Sequence, residues 1–393
     1  MAKQFVIIGG GIAGTTAADQ IRKIDADASI TIIDEEFHPL YSRILLVHYL
    51  EEKVPRERVF MKKLEWYTKN NIELMSGVIA KAIDTKNKFV TTSDDRELPY
   101  DELLITTGGE LRMIEDDRRG IAYFRSMDDA DYILKLVNEL RAQPKKDWHG
   151  LIYGGGFIAI EFIKIFDHYN IPMTIMMRGD GFWSRVLSDH SKKVLADHAK
   201  AGGVTIINGV KEFDFIGEGD FEGVVVDGKE IKGQMLGVGI GMQSKAAFVR
   251  EAGIEMDQGI VANSFLETST DNVYTAGDIA QYEDVSAGRS MVAGNWMKAV
   301  MQGRVVAQTM TGTRTEFELV SSYSTHLMGK EIVFIGDTDR SAADKVVQHV
   351  AEAGDSVELF ERDGRTVGAL FIGSVKERQA ITNAIKKSEI YAR

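Results

Sequence analysis

Short apolar segments alternate with longer segments of helical periodicity through most of the chain. Residues 5–8, Phe-Val-Ile-Ile, are continuously apolar, as expected for a strand that is buried on both faces of a parallel sheet. Comparable apolar runs occur at residues 30–33, 103–105, 151–153 and 173–177. Helical spacing is clearest at residues 128–143 and 155–168. This alternation predicts an α/β fold that contains two βαβ regions.

Three further segments predict smaller elements. Residues 88–92 and 97–98 indicate a small β insertion, and residues 291–310 indicate a long helix. Strand-like runs at residues 331–335, 357–362 and 366–372 follow, with the favourable hairpin turn Asp363-Gly364 between the last two. Residues 375–387 have the spacing of an amphipathic helix. We therefore expect a small α+β segment at the C-terminal end.

A glycine-rich loop follows the first apolar run. In Gly-Gly-Gly-Ile-Ala-Gly, residues 9–14, the first glycine permits a tight turn, the third lets a pyrophosphate approach the backbone, and the last lets the next helix pack on the strand. The run at residues 30–33 ends on an acid, at the distance where a carboxylate meets the ribose of a dinucleotide. The candidate binding residues are Gly9, Gly11, Ile12, Ala13, Gly14, Asp34 and Glu35.

A second loop repeats this pattern after residues 151–153. Ala159 stands where the last glycine is expected, which this type of loop tolerates. The strand at residues 173–177 does not end on an acid, because Met177 and Arg178 occupy that region. Arg178 is either a ligand of the 2′-phosphate of NADPH or a solvated loop residue, and the sequence leaves both open. The candidate binding residues here are Gly154, Gly156, Phe157, Ile158 and Arg178.

Composition restricts the partners. The 393 residues suffice for two or three domains, and 47 Lys and Arg against 59 Asp and Glu give a net charge of −12. That balance argues against nucleic acid or an anionic membrane as the main partner. No apolar run approaches the roughly 18 residues of a membrane helix, and the first strand leaves no room for a signal peptide, so we expect a cytoplasmic protein. With no cysteine, the chain holds no disulfide, zinc–thiolate site or cysteine-bound iron–sulfur cluster, and we expect no metal site.

Four more segments carry a resemblance to a known family. They are Pro-Leu-Tyr-Ser-Arg at residues 39–43, the strand end at residues 103–109, Val-Tyr-Thr-Ala-Gly-Asp at residues 273–278, and the helix with Trp296, Ala299, Gln302 and Gly303. With the two loops, they resemble the pyridine nucleotide–disulfide oxidoreductase superfamily of flavoproteins. The similarity is greatest to its NADH:rubredoxin and ferredoxin reductase branch and to the N-terminal flavin module of nitrite reductase large subunits.

The resemblance implies two Rossmann-like domains, one inserted in the other. It places an FAD-binding domain at residues 1–112 and 245–318, an NAD(P)-binding domain at residues 113–244, and an α+β interface domain at residues 319–393. FAD and NADH or NADPH are the implied cofactors. The further flavin-site residues are Arg43 beside the phosphates, Thr107 and Gly108 at the strand end, Gly277 and Asp278 at the ribityl chain, and Trp296 on the helix that points to the flavin pyrimidine ring.

Three more residues acquire possible roles from the resemblance. Glu161 corresponds to a glutamate near the nicotinamide, although it could be an ordinary exposed helix residue. Gly241 lies in the stretch that returns the chain to the flavin domain, where Ser244 and Lys245 replace the usual proline and asparagine. His48 takes the approximate place of a lysine near the flavin; it either tunes the flavin or moves a proton, or is a structural histidine.

The missing cysteines separate this chain from the thiol-dependent branches. Residues 40–50, where those branches carry redox cysteines, contain none, which excludes disulfide and thiol-based peroxide reduction. The expected reaction is electron transfer between NAD(P)H and an external acceptor through FAD. A rubredoxin, a ferredoxin or an iron–sulfur subunit of a larger complex are the expected partners, and a homodimer is possible. The alternatives are a scaffold-type flavoprotein with slow oxidase activity and a thiol-free NAD(P)H oxidase.

Overall fold

The computed structural model of the chain describes residues 2–145, 148–244, 246–292, 294–350, 354–373 and 376–391. The chain forms two compact units. The first comprises Met1–Ser42, Arg56–Glu110 and Gln243–Ser321, and the second comprises Arg43–Pro55, Leu111–Met242 and Ser322–Arg393. The division into three functional domains stays a prediction. Lys245 and residue 375, the first of the predicted C-terminal helix, lie outside the described residues.

A five-stranded parallel sheet forms the centre of the first unit. Its strands, in spatial order, are Val273–Thr275, Glu102–Ile105, Gln4–Ile8, Ser29–Asp34 and Ile72–Ser76. Most residues of the three central strands are buried, including all of Glu102–Ile105, which explains their largely apolar sequence. The helices of this unit are Ile12–Ile24, Leu64–Lys69, Ala247–Glu251 and Trp296–Met310, with a 3₁₀ turn at Arg56–Arg58.

Two small sheets complete the first unit. Ala80–Asp84, Phe89–Thr92 and Glu97–Pro99 form an antiparallel sheet, which confirms the predicted β insertion. Ile260–Ala262, Ala280–Asp284 and Arg289–Val292 form the other. The predicted helix at residues 291–310 is therefore wrong at its start. Residues 291 and 292 belong to a hairpin, and the helix begins only at Trp296, where the side chain of Asn295 accepts a hydrogen bond from the Lys298 N–H at 2.9 Å.

The second unit has its own five-stranded parallel sheet. In spatial order the strands are Val204–Asn208, Met173–Met177, Gly150–Tyr153, Met235–Val238 and Ile121–Ala122. A small antiparallel sheet contains Asp214–Ile216, Gly223–Val226 and Lys229–Lys232. The helices are Leu46–Leu50, Met127–Arg141, Phe157–His168 and Asp189–Ala201, with a 3₁₀ turn at Arg43–Leu45. The predicted helices at residues 128–143 and 155–168 are confirmed, with small shifts at their ends. The short strands Glu110–Leu111 and Met242–Gln243 lie where the chain passes between the units.

A five-stranded antiparallel sheet follows in the C-terminal part of the second unit. Its spatial order is Ser322–Leu327, Lys330–Gly336, Arg365–Ile372, Ser356–Arg362 and Lys345–Val350. A 3₁₀ turn at Arg340–Ala342 and the helix Arg378–Lys386 accompany it. Asp363 and Gly364 both have positive φ, at 50° and 70°, as a two-residue hairpin turn requires, which confirms the predicted turn. The α+β character expected here is confirmed.

A buried carboxylate joins this sheet to the helix Asp189–Ala201. Glu358 is fully buried and accepts hydrogen bonds from the Ser188 N–H at 3.1 Å and the Ser188 hydroxyl at 2.7 Å. Its other oxygen pairs with Arg340, whose Nε donates to the Val186 carbonyl at 2.9 Å. Ser188 is also the N-cap of the helix. A buried charge that is paired and hydrogen-bonded in this way is costly to expose or to leave alone, so it fixes the sheet against the helix.

Candidate functional site

The first glycine loop is fixed by backbone contacts on both sides. Gly9 has φ +109°, a conformation that disfavours any side chain, and its N–H donates to the Ile33 carbonyl at 2.8 Å. A Cβ on Gly9 would also overlap the Thr106 carbonyl. Thr106 in turn donates its hydroxyl to the carbonyls of Ile8 and Gly9 at 3.0 and 2.9 Å. The turn is therefore built jointly by three neighbouring strands.

The next positions of the loop differ in what surrounds them. A Cβ on Gly10 would overlap the carboxylate of Asp34, and a Cβ on Gly14 would overlap the Gly9 carbonyl. Gly11 instead has no atom within 4 Å of its Cβ position, although its φ of −66° suits any residue. The absence of a side chain at Gly11 is therefore not needed for packing. It leaves open space at the N-terminus of a helix, where a pyrophosphate fits.

The helices that begin at Ile12 and Phe157 share an uncapped start. Their N-cap residues are Gly11 and Gly156, neither helix has a side-chain cap, and neither has an acidic residue in its first turn. The other described helices of 12 or more residues, Met127–Arg141, Asp189–Ala201 and Trp296–Met310, do have side-chain N-caps, from Ser126, Ser188 and Asn295. Their N-terminal N–H groups are partly satisfied by the protein. Those after the glycine loops are left for an anionic ligand.

The acidic end of the first site is partly buried. Asp34 ends the strand Ser29–Asp34, next to Gly10, and Glu35 is exposed. The hydroxyl of Tyr67 accepts a hydrogen bond from the Leu40 N–H at 3.1 Å. Burial raises the pKa of Tyr67, and the negative charge of Asp34 acts in the same direction. Tyr67 therefore stays neutral beside an acid suited to hold ribose hydroxyls.

The segment at residues 273–278 meets the first loop. The Cβ position of Gly277, which has φ +81°, lies 3.3 Å from Ala13 Cβ, and the Gly277 N–H donates to Gln302 Oε1 at 2.8 Å. Asp278 lies against Gly294, since a Cβ there would come 2.6 Å from Asp278 Oδ1. Gly303 packs so closely on the helix Ile12–Ile24 that its Cβ position is 2.5 Å from the Ala13 carbonyl oxygen. Residues almost 300 positions apart thus form one site.

Two buried polar atoms of this site have no hydrogen-bond partner among the described residues. They are Gln302 Nε2 and Thr107 Oγ1. Gln302 is 1% exposed, and buried polar groups of this kind are normally paired. Thr107 precedes Gly108, which has φ +70°, at the end of the strand Glu102–Ile105. Trp296 begins the helix that carries Gln302. Together with the open space at Gly11, these unpaired atoms fit a bound polar cofactor such as FAD.

The second loop reproduces the first at its first and third glycines. Gly154 has φ +132°, donates its N–H to the Met176 carbonyl at 2.9 Å, and would overlap the Gly239 carbonyl if it had a Cβ. Gly156, like Gly11, has no atom within 4 Å of its Cβ position. The Cβ position of Gly239 lies 2.8 Å from Ala159 N and 3.1 Å from Ile158 Cβ. The same open space at a helix N-terminus fits a second dinucleotide.

The ribose end of the second site lacks a carboxylate. Met177 takes the place that Asp34 has in the first site, and its Sδ lies 2.8 Å from the Cβ position of Gly155. Met177 is 1% exposed, whereas Arg178 is exposed. The acid in this turn, Asp180, is bound by Lys192, whose hydrogen bond lowers the pKa of Asp180. This turn therefore presents the guanidinium of Arg178 at the surface and buries the neutral thioether of Met177.

The other predicted residues of the second unit make contacts within that unit. Glu161 lies on the helix Phe157–His168 and pairs with Lys164 at 2.9 Å. Gly241 has φ +98°, and its carbonyl accepts from the Arg112 N–H at 3.0 Å. Arg43 Nη1 donates to the Arg125 carbonyl at 2.6 Å. The position of Arg43 beside flavin phosphates stays a prediction.

His48 is held by a carboxylate. Its Nδ1 lies 3.1 Å from Glu51 Oε2, which also accepts from Lys53 Nζ at 2.8 Å. Burial acts to raise the pKa of Glu51, but the hydrogen bonds and charges of Lys53 and His48 outweigh it and lower the pKa. These contacts give His48 a structural partner. Its role at a flavin stays a prediction.

Sequence reasoning missed two residues that shape these sites. Thr106 fixes the first loop, and Gly239 occupies the equivalent position in the second. The sequence did contain a signal for both residues. Thr106 and Gly239 each directly follow the strand that pairs with the strand leading into the glycine loop. Met177, which the sequence places where the acid is expected, is a buried packing residue beside Gly155.

Two kinds of feature are absent from the described residues. No helix in this part of the chain is both long and apolar enough to cross a membrane. Over the same residues, no group of three or more His, Asp or Glu side chains is arranged to hold a metal ion.

Comparison with known proteins agrees with this architecture. The chain is 27% identical to the nitrite reductase [NAD(P)H] of Bacillus subtilis (strain 168), over 98% of its own length and 47% of that protein. It is 25% identical to the NADH-rubredoxin oxidoreductase of Clostridium acetobutylicum, over 99% of its own length and 96% of that protein. The chain thus spans about half the length of the first relative and nearly all of the second.

The fold matches that of a solved redox complex. The structure of the covalent putidaredoxin reductase–putidaredoxin complex aligns with a TM-score of 0.89 at 22% identity, covering 99% of this chain and 94% of that one. The sequence model of the pyridine nucleotide-disulphide oxidoreductase family matches residues 3–303. That range contains both glycine loops and the segment around Asp278. The chain belongs to the pyridine nucleotide-disulphide oxidoreductase family.

Proposed function

We propose that this chain is an FAD-dependent NAD(P)H oxidoreductase that exchanges electrons with an external rubredoxin, ferredoxin or iron–sulfur partner, without a redox disulfide. FAD binds at the loop of residues 9–14 and the nicotinamide nucleotide at the loop of residues 154–159. The observation that carries the proposal is the equivalence of the two loops. Each leaves open space at one glycine, Gly11 or Gly156, at the start of an uncapped helix.

The residues of the first unit bind and orient the flavin. Asp34 accepts hydrogen bonds from ribose hydroxyls, and Asp278 does the same for the ribityl chain. Gln302 is held by the Gly277 N–H at 2.8 Å and offers its unpaired amide to the cofactor. When bound there, FAD would supply the chemistry of hydride acceptance from NAD(P)H and of electron transfer to a second carrier. No described residue is needed as an acid or base for that exchange.

The residues of the second unit hold the nicotinamide nucleotide. The first N–H groups of the helix Phe157–His168 face its phosphates, and Glu161 lies one turn further along. We infer that Arg178 meets the 2′-phosphate of NADPH, because it is exposed beside a turn whose acid, Asp180, is bound by Lys192. This supports NADPH as a substrate at least as good as NADH.

The sequence restricts where the electrons go. Because the chain has no cysteine, an electron pair that reaches the flavin passes to a group outside the chain. The relatives support an iron protein as that group: one is named an NADH-rubredoxin oxidoreductase, and the structural relative is a reductase in complex with putidaredoxin. This chain also matches about half of a nitrite reductase. That match supports, equally well, an iron–sulfur subunit of a larger complex as the electron partner. We place the reaction in the cytoplasm.

Anaerobic mixing of the FAD-loaded protein with NADH or NADPH tests the proposal. We expect the flavin absorbance to bleach with saturable dependence on nucleotide, and to return faster with a rubredoxin or ferredoxin than with oxygen. A protein that cannot be loaded with FAD would refute the flavin site. Slow return with every acceptor would indicate a scaffold-type flavoprotein, and return fastest with oxygen would indicate an oxidase.

A further inference from the structure

One face of the helix Phe157–His168 carries an aromatic ring, a carboxylate and an ammonium group. Phe157, Glu161 and Lys164 are spaced by four and three residues and therefore lie on the same side of the helix. Six other residues of the helix are apolar and buried: Ala159, Ile160, Phe162, Ile163, Ile165 and Phe166. Phe157 directly follows the open position at Gly156. A nucleotide bound at that glycine therefore meets this face first.

Glu161 has one satisfied and one unsatisfied oxygen. Its Oε1 accepts from Lys164 Nζ at 2.9 Å, while its Oε2 is buried and has no hydrogen-bond partner among the described residues. Carboxylate oxygens that are removed from water are normally hydrogen-bonded, because an unpaired one is unfavourable. An acceptor of this kind is suited to a ligand that donates hydrogen bonds. The ribose hydroxyls and the carboxamide of a nicotinamide nucleotide are such donors.

Lys164 is held from a second side by the C-terminal sheet. Its Nζ donates to Thr325 Oγ1 at 3.1 Å, and Thr325, in the strand Ser322–Leu327, is 5% exposed. Tyr323 lies two residues earlier, on the same side of that strand, and its ring centroid is 5.4 Å from that of Phe157. The strand therefore follows the same helix face that carries Glu161.

Aromatic packing holds the strand and helix together. Tyr323 stacks on Phe334 of the next strand, with ring centroids 5.1 Å apart and planes 6° apart, and Phe334 also contacts Phe157 at 5.2 Å. Burial raises the pKa of Tyr323 to about 12, so its hydroxyl is neutral at ordinary pH. Lys164 thus bridges the helix and the strand, because its ammonium group donates to Glu161 on the helix and to Thr325 on the strand.

We propose that Lys164 and Thr325 are positioning residues, which fix the orientation of the Glu161 carboxylate and leave its second oxygen to accept a hydrogen bond from the nicotinamide nucleotide. This inference rests on the proposed binding of that nucleotide at residues 154–159. It gives the C-terminal sheet a part in nucleotide binding through Thr325. Neither Lys164 nor Thr325 is a catalytic residue, because each acts through Glu161.

Anaerobic flavin reduction by NAD(P)H separates this role from a structural one. In the FAD-loaded protein, we expect Lys164→Met to raise the half-saturating nucleotide concentration about tenfold, with the limiting reduction rate changed by less than about twofold. Lys164→Arg should restore most of the affinity, and Thr325→Val should weaken binding about threefold. Lys193→Met removes another helical lysine–carboxylate pair of this unit, with Asp197, and should change neither quantity.

The outcomes distinguish this inference from the proposed function. If wild-type protein shows no saturable reduction by NADH or NADPH, the nucleotide site itself is refuted. If wild-type protein is reduced saturably and Lys164→Met binds nucleotide as tightly, only the positioning role is refuted. Equal effects of Lys164→Met and Lys193→Met would also overturn it. Should Lys164→Met not fold, Thr325→Val keeps the test, and unchanged half-saturation in that variant counts against the inference.

Discussion

Gly10 lies directly against the carboxylate of Asp34, so that any side chain at residue 10 would overlap Asp34 Oδ2. The neighbouring Gly11 has no atom within 4 Å of its Cβ position. A side chain at residue 10 would thus displace Asp34, whereas a side chain at residue 11 would meet only the ligand. Gly11 therefore allows cofactor binding to be tested separately from folding.

Gly11→Ala should fold normally and lose FAD. Its φ of −66° suits alanine, so the stability of the apoprotein should be unchanged or slightly higher, by at most about 1 kcal/mol. The added methyl group fills the space for the pyrophosphate, and the flavin-to-protein absorbance ratio should fall sharply. Gly10→Ala is the comparison, since it should cost the apoprotein about 1–3 kcal/mol. Full flavin content in Gly11→Ala would contradict the assigned site.

Gly156→Ala should weaken nucleotide binding and leave FAD binding unchanged. The protein should retain FAD, because Gly156 belongs to the second loop, but should need a higher NAD(P)H concentration for half-maximal flavin reduction, by about tenfold or more. Titration of anaerobic protein with each nucleotide measures this. Loss of flavin together with nucleotide affinity would show that the two loops do not have separate ligands.

Asp278→Ala should lower flavin occupancy. Asp278 follows Gly277, which is fixed by Gln302 beside Ala13, so the carboxylate is well placed for a cofactor hydroxyl. Loss of a hydrogen bond to a charged group costs about 1.5–3 kcal/mol, equivalent to a roughly 10- to 100-fold weaker FAD affinity. The exposed Asp271 provides the control, and Asp271→Ala should bind FAD normally. Equal FAD affinity in both variants would remove Asp278 from the site.

Arg178→Glu should shift coenzyme preference towards NADH. If Arg178 pairs with a 2′-phosphate, a carboxylate there repels NADPH and can accept from the free hydroxyl of NADH. The ratio of kcat/KM for NADPH over NADH should fall by about tenfold or more. Lys229→Glu makes the same charge change on an exposed strand of this unit and should leave the ratio unchanged. An unaltered ratio in Arg178→Glu would show that this arginine is only a solvated loop residue.

Glu51 should make stability depend on acid pH. Its pKa is lowered in the folded protein from an ordinary value of 4.5 by Lys53 and His48, despite the opposing effect of burial. The resulting stabilisation is complete above pH 4.5 and is lost as pH falls through the lowered pKa. Glu51→Gln should therefore be less stable than wild type by about 1 kcal/mol at pH 7, and this difference should shrink in strong acid.

Urea unfolding at several pH values measures that difference. Glu57→Gln, at an exposed glutamate, should unfold like wild type throughout. The opposite result is that the unfolding free energies of wild type and Glu51→Gln differ by the same amount from pH 7 to strong acid. That result would show that Glu51 stabilises the fold by packing and not by its charge.

The sequence predicted those features that depend on neighbouring residues. Both glycine loops were predictable because strand, turn and helix follow one another within about 20 residues, and each position has its own steric requirement. The Asp363-Gly364 turn was predictable for the same reason. The start of the last long helix was misplaced, because the hairpin that ends at Val292 pairs with residues that the local pattern does not reveal.

Contacts between distant parts of the chain were beyond the sequence pattern. Lys164 looks like an exposed helix residue until Thr325, 161 positions away, is placed beside it. The bond between Gln302 and Gly277 likewise depends on how one helix packs on another. Hydrophobic spacing predicts which face of an element is buried but not which other element covers it.

The buried Glu358 restricts how this protein can be recombined with its relatives. Its partners are Ser188, which begins one helix, and Arg340, which precedes another strand of the C-terminal sheet. A chimaera that exchanges the sheet alone would bring in a foreign residue opposite Ser188, or leave the carboxylate without its donors. The helix Asp189–Ala201 and the sheet therefore form one structural module, and only exchanges that keep both should yield stable hybrid proteins.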